Sequence, residues 1–246
     1  MADYLCRKLE HYVRLSADDR EILAALEKTN IRTIAARRDI IREGEHPEFA
    51  NLVIDGWAVR HKMLEDGRRQ VLAFLLPGDL CDLNVFLLKE MDHSIGALTS
   101  VTIAQIPRDL VDEIEKKRSR LFKALTWDLL VQLAIQRQWT LNLGQRSAIE
   151  RISHLICELF ARLATINLCR NGTCHVPITQ TDLSEAAGIT PVHVNRTLQE
   201  LRGQGLIEWK GREIHVADME ALRRVALFND NYLHLGREGA NLDAKD

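Results

Sequence analysis

Between Ile31 and Pro107 the chain consists of short aliphatic or β-branched runs, each closed by a turn signal, and at Arg108 this texture stops. The first stretch can bury its apolar residues only as a small β-barrel or sandwich, while the residues beyond Arg108 read as helical, so the fold class is α+β. The runs are Ile40-Ile41 before Glu43-Gly44, Asn51 to Ile54 before Asp55-Gly56, Trp57 to Leu64 before Glu65-Asp66-Gly67, Val71 to Leu76 before Pro77-Gly78-Asp79, and Ile95 to Ile106 before Pro107. Asp66-Gly67 is a hairpin signal. Ahead of the β region, Ser16 caps a helix carrying Ile22, Leu23 and Leu26 at helical spacing.

In the helical part, Phe122, Leu125, Leu129, Leu133, Gln136, Thr140 and Leu143 form one stripe, with Trp127, Leu130, Val131 and Ile135 beside it. A helix from Ser119 to Leu143 would be about 36 Å long. An apolar surface wider than one stripe needs cover on two sides, from the barrel and from a second subunit, so the stripe is the expected dimerisation face. The alternative is a core helix of a monomer. Gly144 is the expected break, and Ser147 caps a further helix from Ala148 to Ile166. The boundaries this implies are a barrel domain with a leading helix over 1–110, a central helix over 111–144, a further domain over 145–235 and a flexible tail over 236–246.

Composition narrows the class. The 246 residues are 46% hydrophobic and 28% charged, ordinary for a soluble globular protein, and the net charge of −2 means that a nucleic-acid site must be local. Five irregularly spaced cysteines do not read as a secreted disulfide framework. With no 18-residue apolar run and no apolar signal core at the N-terminus, a cytoplasmic location away from membranes is expected.

The segment Thr179 to Val216 carries the functional signal. Thr179 opens a short helix ended by Gly188. Thr190-Pro191 starts a second helix running to about Gln204, with Val194, Leu198 and Leu201 inward. Strand residues up to Trp209, the turn Lys210-Gly211-Arg212 and Glu213 to Val216 then form a hairpin, the layout of a winged helix-turn-helix. Pro191, Val192, His193, Asn195, Arg196 and Gln199 fall on the outward side. Arg196 can donate twice to guanine O6 and N7, Asn195 can pair with adenine or a phosphate, and Val192 can touch a thymine methyl. Thr179, Gln180 and Thr181 open the first helix, where amides and side chains can hold a phosphate, and Lys210 and Arg212 suit a phosphate contact from the wing. Local charge lends little support: between Arg146 and Arg224 ten Arg or Lys face nine Asp or Glu.

Over roughly residues 5–235 the chain resembles the Crp/Fnr family of bacterial transcription regulators. The resemblance rests on the barrel turns Arg42-Glu43-Gly44-Glu45, Asp55-Gly56, Leu64 to Arg69 and Pro77-Gly78-Asp79-Leu80, and on Ile189 to Leu198 as recognition helix. It implies an N-terminal β jelly-roll of cyclic-nucleotide-binding type, a long central dimerisation helix and a C-terminal winged helix-turn-helix. The implied partners are a second copy of the chain, a palindromic double-stranded DNA operator and RNA polymerase. Half-sites are expected about 34–36 Å apart.

Departures from the family pattern shape the expectation further. Cyclic AMP binders place Gly-Glu-Leu and Arg-Ser around the nucleotide, where this chain has Cys81-Asp82-Leu83 and Asp92-His93-Ser94. An anion beside Asp82 and Asp92 without that arginine is unfavourable, so no cyclic-nucleotide binding is expected, and Cys81, Asp82, Leu83, His93 and Ser94 form at most an altered effector pocket. Iron–sulfur clusters normally take four ligands, and only Cys6 and Cys81 precede the central helix, so no cluster, no metal and no cofactor is expected. Cys157 reads as a buried hydrophobe. Cys169 and Cys174 read as two reduced thiols, a redox pair or a metal-binding pair. The family's common glutamate is missing at Val192 or His193, leaving Arg196 as the main base reader with a guanine in each half-site. No phosphate loop, helical His-x-x-x-His or Gly-x-Ser-x-Gly elbow is present, so no enzyme is expected. The rival reading is a small-molecule sensor whose helix-turn-helix binds protein.

Overall fold

The computed structural model describes residues 3–236 and 238–244. The chain divides into two compact units, one of Met1–Lys62, Ala73–Ala134 and Leu233–Asp246, the other of Met63–Leu72 and Ile135–Tyr232.

In the first unit, α1 (Tyr4–Glu10) and α2 (Ala17–Leu26) precede the strands. Ser16 Oγ accepts from the Asp19 amide at 3.1 Å while the Asp19 carboxylate accepts from the Ser16 amide at 2.8 Å, a reciprocal cap. The strands are β1 (Ile31–Ile34), β2 (Asp39–Ile41), β3 (Phe49–Asp55), β4 (Ala58–Met63), β5 (Arg69–Leu75), β6 (Leu80–Cys81), β7 (Ser94–Ala97) and β8 (Val101–Pro107). They form two four-stranded sheets, ordered β1-β8-β3-β6 and β2-β7-β4-β5. The expected run Ile95 to Ile106 is split into β7 and β8, because Thr99 turns the chain and its Oγ1 accepts from the Trp57 amide at 2.9 Å. Leu52, Phe74, Leu75, Ile95, Ile103 and Ile106 fill the core. Lys8 of α1, largely shielded, sits between the buried carboxylates of Asp79 at 2.6 Å and Asp128 at 2.7 Å, so both leave water with a shared partner.

After α3 (Arg108–Lys117), α4 runs from Ser119 to Gln145, about 40 Å, straight through Gly144. The expected break at Gly144 falls slightly later: the helix ends at Gln145, the Arg146 amide still donates to Asn142, and the chain turns where Ser147 caps the next helix. The expected dimerisation stripe is also corrected in part. Leu125 is 2% exposed and, with Phe122, lines an apolar hollow against Leu26, Leu83, Ile106 and Ile114 of its own chain. Leu129 is half-buried, and the Gln136 side-chain amide donates to the Leu72 carbonyl. Leu133, Thr140 and Leu143 are exposed. The open face instead carries Leu130 (57% exposed), Leu133 (46%), Arg137, Thr140 and Leu141 (47%). At 3.6 residues per turn this face is rotated by roughly 60° from the expected one, because own-chain packing claims one flank of the stripe.

The second unit contains α5 (Ala148–Thr165), the hairpin β9 (Cys169–Arg170) and β10 (Thr173–His175), α6 (Gln180–Ala187), α7 (Pro191–Gly203), β11 (Glu208–Lys210), β12 (Glu213–His215) and α8 (Met219–Ala226). The four strands make one antiparallel sheet, β11-β12-β10-β9. Its core holds Ile152, Ile156, Leu163, Leu183, Val194, Leu198 and Leu201. The Glu158 carboxyl, fully buried, is raised in pKa by burial against the opposing pull of Arg162, and it accepts from Trp139 Nε1 at 3.1 Å and from Tyr232 Oη at 2.9 Å. Tyr232, the last residue of this unit, also stacks on His154.

The expectation of a loose tail does not hold for residues 238–244. The amides of Gly239 and Ala244 donate to Tyr12 and Arg14 of the first unit at 3.1 and 3.0 Å, and Ala244 is buried. Small side chains let this strand of backbone approach closely. Arg237, Lys245 and Asp246 lie outside the described residues.

Candidate nucleic-acid interface

Local sequence builds the helix-turn-helix. Thr179 caps α6: its hydroxyl accepts from the Asp182 amide at 3.2 Å, and buried Asp182 accepts from the Thr179 amide at 2.9 Å. The cap uses the Thr179 side chain internally and leaves the exposed Gln180 and Thr181, with their first-turn amides, facing out. Gly188 ends α6 at φ 63, the left-handed conformation glycine adopts without steric cost. Thr190 then caps α7, accepting from the His193 amide at 3.3 Å, with Pro191 at the first helical position.

Three buried residues orient α7. Val194, Leu198 and Leu201 are inside, which turns Pro191, Val192, Arg196 and Gln199 to solvent with His193 and Asn195 half-exposed. Val192 is 81% exposed, unusual for an aliphatic side chain. Asn195 Nδ2 donates to Gln180 Oε1 at 3.3 Å, so α6 and α7 present one continuous polar edge. Among the described residues Arg196 makes no ion pair, which leaves all its donors available.

The wing is less basic than its tip implied. Lys210 Nζ lies 2.9 Å from Glu208 Oε2, and Glu213 stands next to Arg212. Arg212 and Lys210 are nonetheless exposed. Arg202 reaches from α7 to the Trp209 carbonyl at 3.3 Å, which ties helix to wing.

Two groups missed by sequence reasoning hold this surface in place. Arg151 of α5 donates to the carbonyls of Leu143 and Arg146 at the end of α4 and to Ala187 at the end of α6. One guanidinium thus satisfies carbonyls at two helix ends. The hairpin 63–72, expected to belong with the barrel, also joins this unit: Arg69 lies 3.1 Å from Glu185, and Gln70 Nε2 donates to the Ala186 carbonyl at 3.4 Å. Ser147 as a cap four residues before Arg151 was a usable sign that this arginine lies on the first turn of a helix.

In the barrel, the expected effector residues separate into two groups. Cys81 and Leu83 are buried in the core, and Ser94 Oγ accepts from the Glu43 amide at 2.9 Å. Asp82 and His93 come together with Arg60, a buried residue of β4 that sequence reasoning passed over. Arg60 lies 3.0 Å from Asp82, His93 Nε2 lies 3.2 Å from Asp82 and 3.1 Å from Arg60 Nε, and His93 Nδ1 lies 2.5 Å from Asp92. The view of Asp82 and Asp92 as acidic groups without a cation is therefore corrected: Arg60 and His93 neutralise them. Burial alone would lower the His93 pKa, but hydrogen bonding and attraction from Asp82, then Asp92, outweigh it and raise it. Burial alone would raise Asp82, yet His93 and Arg60 bring it below the usual value.

Comparison with known proteins follows the same division. The cyclic nucleotide-binding domain family matches residues 31–118, and the Crp-like helix-turn-helix domain family matches residues 150–225. The transcriptional activator protein FnrL of Cereibacter sphaeroides is 28% identical over 219 residues, covering 87% of this chain and 88% of its own. The nitrogen fixation regulation protein FixK of Rhizobium meliloti is 29% identical over 196 residues, 78% of this chain and 85% of its own. The structure of FixK2 from Bradyrhizobium japonicum shares the fold at a TM-score of 0.70 and 24% identity, covering 80% of this chain and 96% of that one. No helix among the described residues is long and apolar enough to cross a membrane. With a cyclic-nucleotide-binding-type domain, a central helix and a Crp-like helix-turn-helix in that order, the chain is a DNA-binding transcription regulator of the Crp/Fnr family.

Proposed function

We propose that the protein works in the cytoplasm as a homodimer, joined through α4, that reads a palindromic DNA operator with α7. Arg196 reads a guanine in each half-site, with Val192, His193, Asn195 and Gln199 beside it. Gln180, Thr181, Lys210 and Arg212 hold the phosphate backbone, with Thr179 and Pro191 beside them at the starts of α6 and α7, and RNA polymerase is the further partner. The observation that carries this reading is the unpartnered, outward Arg196 on a helix whose opposite face is buried. The segments 1–110, 111–144 and 145–235 then serve as sensor-type barrel, dimerisation helix and DNA-binding domain. The barrel does not bind cyclic nucleotide: Asp82 already occupies the Arg60 guanidinium, and a nucleotide phosphate would have to displace it.

Selection of bound duplexes from a random pool tests the reading, with two-fold symmetric sites expected. The near-neutral wing, with Lys210 paired to Glu208, favours one rival, a helix-turn-helix that binds protein. Binding to duplex DNA that weakens steeply with salt excludes that rival; absence of any duplex binding supports it. Calorimetry with cyclic AMP and cyclic GMP should show no heat of binding, and micromolar affinity would contradict the barrel assignment.

A further inference from the structure

Cys169 and Cys174 face each other as register partners in the β9–β10 hairpin, Cα to Cα 4.5 Å, and their sulfurs are bonded. That separation is the spacing of a non-hydrogen-bonded antiparallel pair and lies within the range a disulfide spans. The connecting residues suit it: Asn171 and Gly172 both have positive φ, 49° and 72°, as the favoured two-residue hairpin turn requires. Of the open alternatives for this pair, the structure takes the oxidised one.

The hairpin is not peripheral to the wing. β10 pairs with β12 along Thr173–His215, Cys174–Ile214 and His175–Glu213. The Val176 amide donates to the Arg212 carbonyl at 2.7 Å, and the Val216 amide donates to the Gly172 carbonyl at 2.9 Å. Both ends of the wing's second strand are therefore held by the segment that the disulfide closes. β9 contributes only two residues, so without the cross-link little holds it to β10.

We propose that the Cys169–Cys174 pair is a reversible dithiol–disulfide site whose oxidised form orders the wing for DNA. Its functional consequence rests on the DNA-binding reading, whereas the switch itself can be observed without DNA. Cys169 is the half-exposed residue of the pair and Cys174 is buried, so an incoming thiolate attacks on the Cys169 side. The S–S bond breaks, Cys174 leaves as thiolate and takes a proton from water, and a mixed disulfide forms on Cys169. The second thiol of a dithiol reductant then attacks that mixed disulfide, becomes the reagent's own disulfide and releases the Cys169 thiol, two electrons in all. The Phe160 carbonyl, 3.8 Å from Cys169 Sγ, is placed to accept from that thiol. The other three cysteines are poor competitors. Cys6, Cys81 and Cys157 are buried, and burial pushes the Cys6 and Cys157 thiols up to about 12 and Cys81 upward as well, away from the reactive thiolate.

The test uses the full-length protein equilibrated in dithiothreitol redox buffers, with alkylation and mass measurement counting free thiols. Two thiols per chain should appear on reduction, map to Cys169 and Cys174, and disappear on reoxidation with the fold retained. Amide hydrogen exchange at Val176 and Val216 should become about tenfold faster on reduction. On a selected duplex, reduction should weaken binding about three- to tenfold, the equivalent of one lost phosphate hydrogen bond. C169S and C174S should each behave as the reduced protein and ignore reductant. Equal exchange rates in both states, or thiols that fail to re-pair, overturn the switch. If exchange responds while neither form binds any duplex, the switch stands and the DNA-binding reading falls. If exchange responds but duplex affinity does not, the role of the disulfide in DNA binding is refuted.

Discussion

Leu130→Asp puts the open face of α4 to the test. Leu130, Leu133 and Leu141 are each about half exposed, at 57%, 46% and 47%. Burying a whole leucine side chain stabilises by about 1.5–3 kcal/mol, so half of one is worth roughly 1 kcal/mol, or about 2 kcal/mol for the symmetric pair in a dimer. The substitution removes that term and sets a carboxylate from each protomer into the same interface, where desolvation and like charge add at least a further ~1 kcal/mol. The sum, about 3 kcal/mol or more, raises the dimer dissociation constant roughly 100-fold or more. Because the face is exposed in the single chain, the protomer itself should keep its stability within about 0.5 kcal/mol. Leu125→Ala supplies the contrast. That side chain is 2% exposed, so its loss should cost the protomer about 2–5 kcal/mol. Sedimentation equilibrium over a concentration series reads the association, and urea unfolding reads the stability. A monomeric wild type at micromolar concentration, or an L130D protein that dimerises as the wild type does, would refute the reasoning.

Other outcomes rest on the buried polar groups and on one glycine. Arg60→Leu leaves Asp82 without its nearest cation and should cost about 3–5 kcal/mol in urea unfolding, with Asp82→Asn in the same chain recovering much of it. The folded-state pKa of His93 is raised above its ordinary 6.5, so its charged form adds stability below about pH 6.5 that fades as pH climbs through the folded value. Thermal unfolding between pH 6 and 8 should show this slope in the wild type and lose it in H93Q. Tyr232→Phe removes a donor to buried Glu158 and should destabilise the second unit by about 1–3 kcal/mol, read as faster amide exchange in α5. Gly188→Ala forces a Cβ into a left-handed position and should cost about 1 kcal/mol or more while lowering duplex affinity.

Where local chemistry decides the structure, the sequence was legible. Ser16, Ser147, Thr179 and Thr190 each cap the helix expected of them, and Gly188 turns where its φ permits. The inward set Val194, Leu198 and Leu201 follows from 3.6-residue periodicity. What could not be read depends on partners distant in sequence. Along α4, periodicity shows which residues are apolar, not which flank the barrel covers at Leu125. Arg60 carries no local sequence signal because its neighbours, Asp82 and His93, lie 22 and 33 residues away. The basic wing looked stronger in sequence than in space, since Glu208 and Lys210, two apart on β11, share a face and pair. Gly144 marks the break to within two residues, the helix ending at Gln145 ahead of the Ser147 cap.

The most direct measurement concerns one base pair. On duplexes selected by the wild type, affinities of wild-type and R196A protein are compared for the chosen guanine and for each substituted base at that position. R196A should lose about 1–3 kcal/mol per half-site on the guanine duplex and no longer distinguish the four base pairs there. Equal weakening of R196A on all four duplexes, with the wild-type preference intact, would contradict base reading by Arg196.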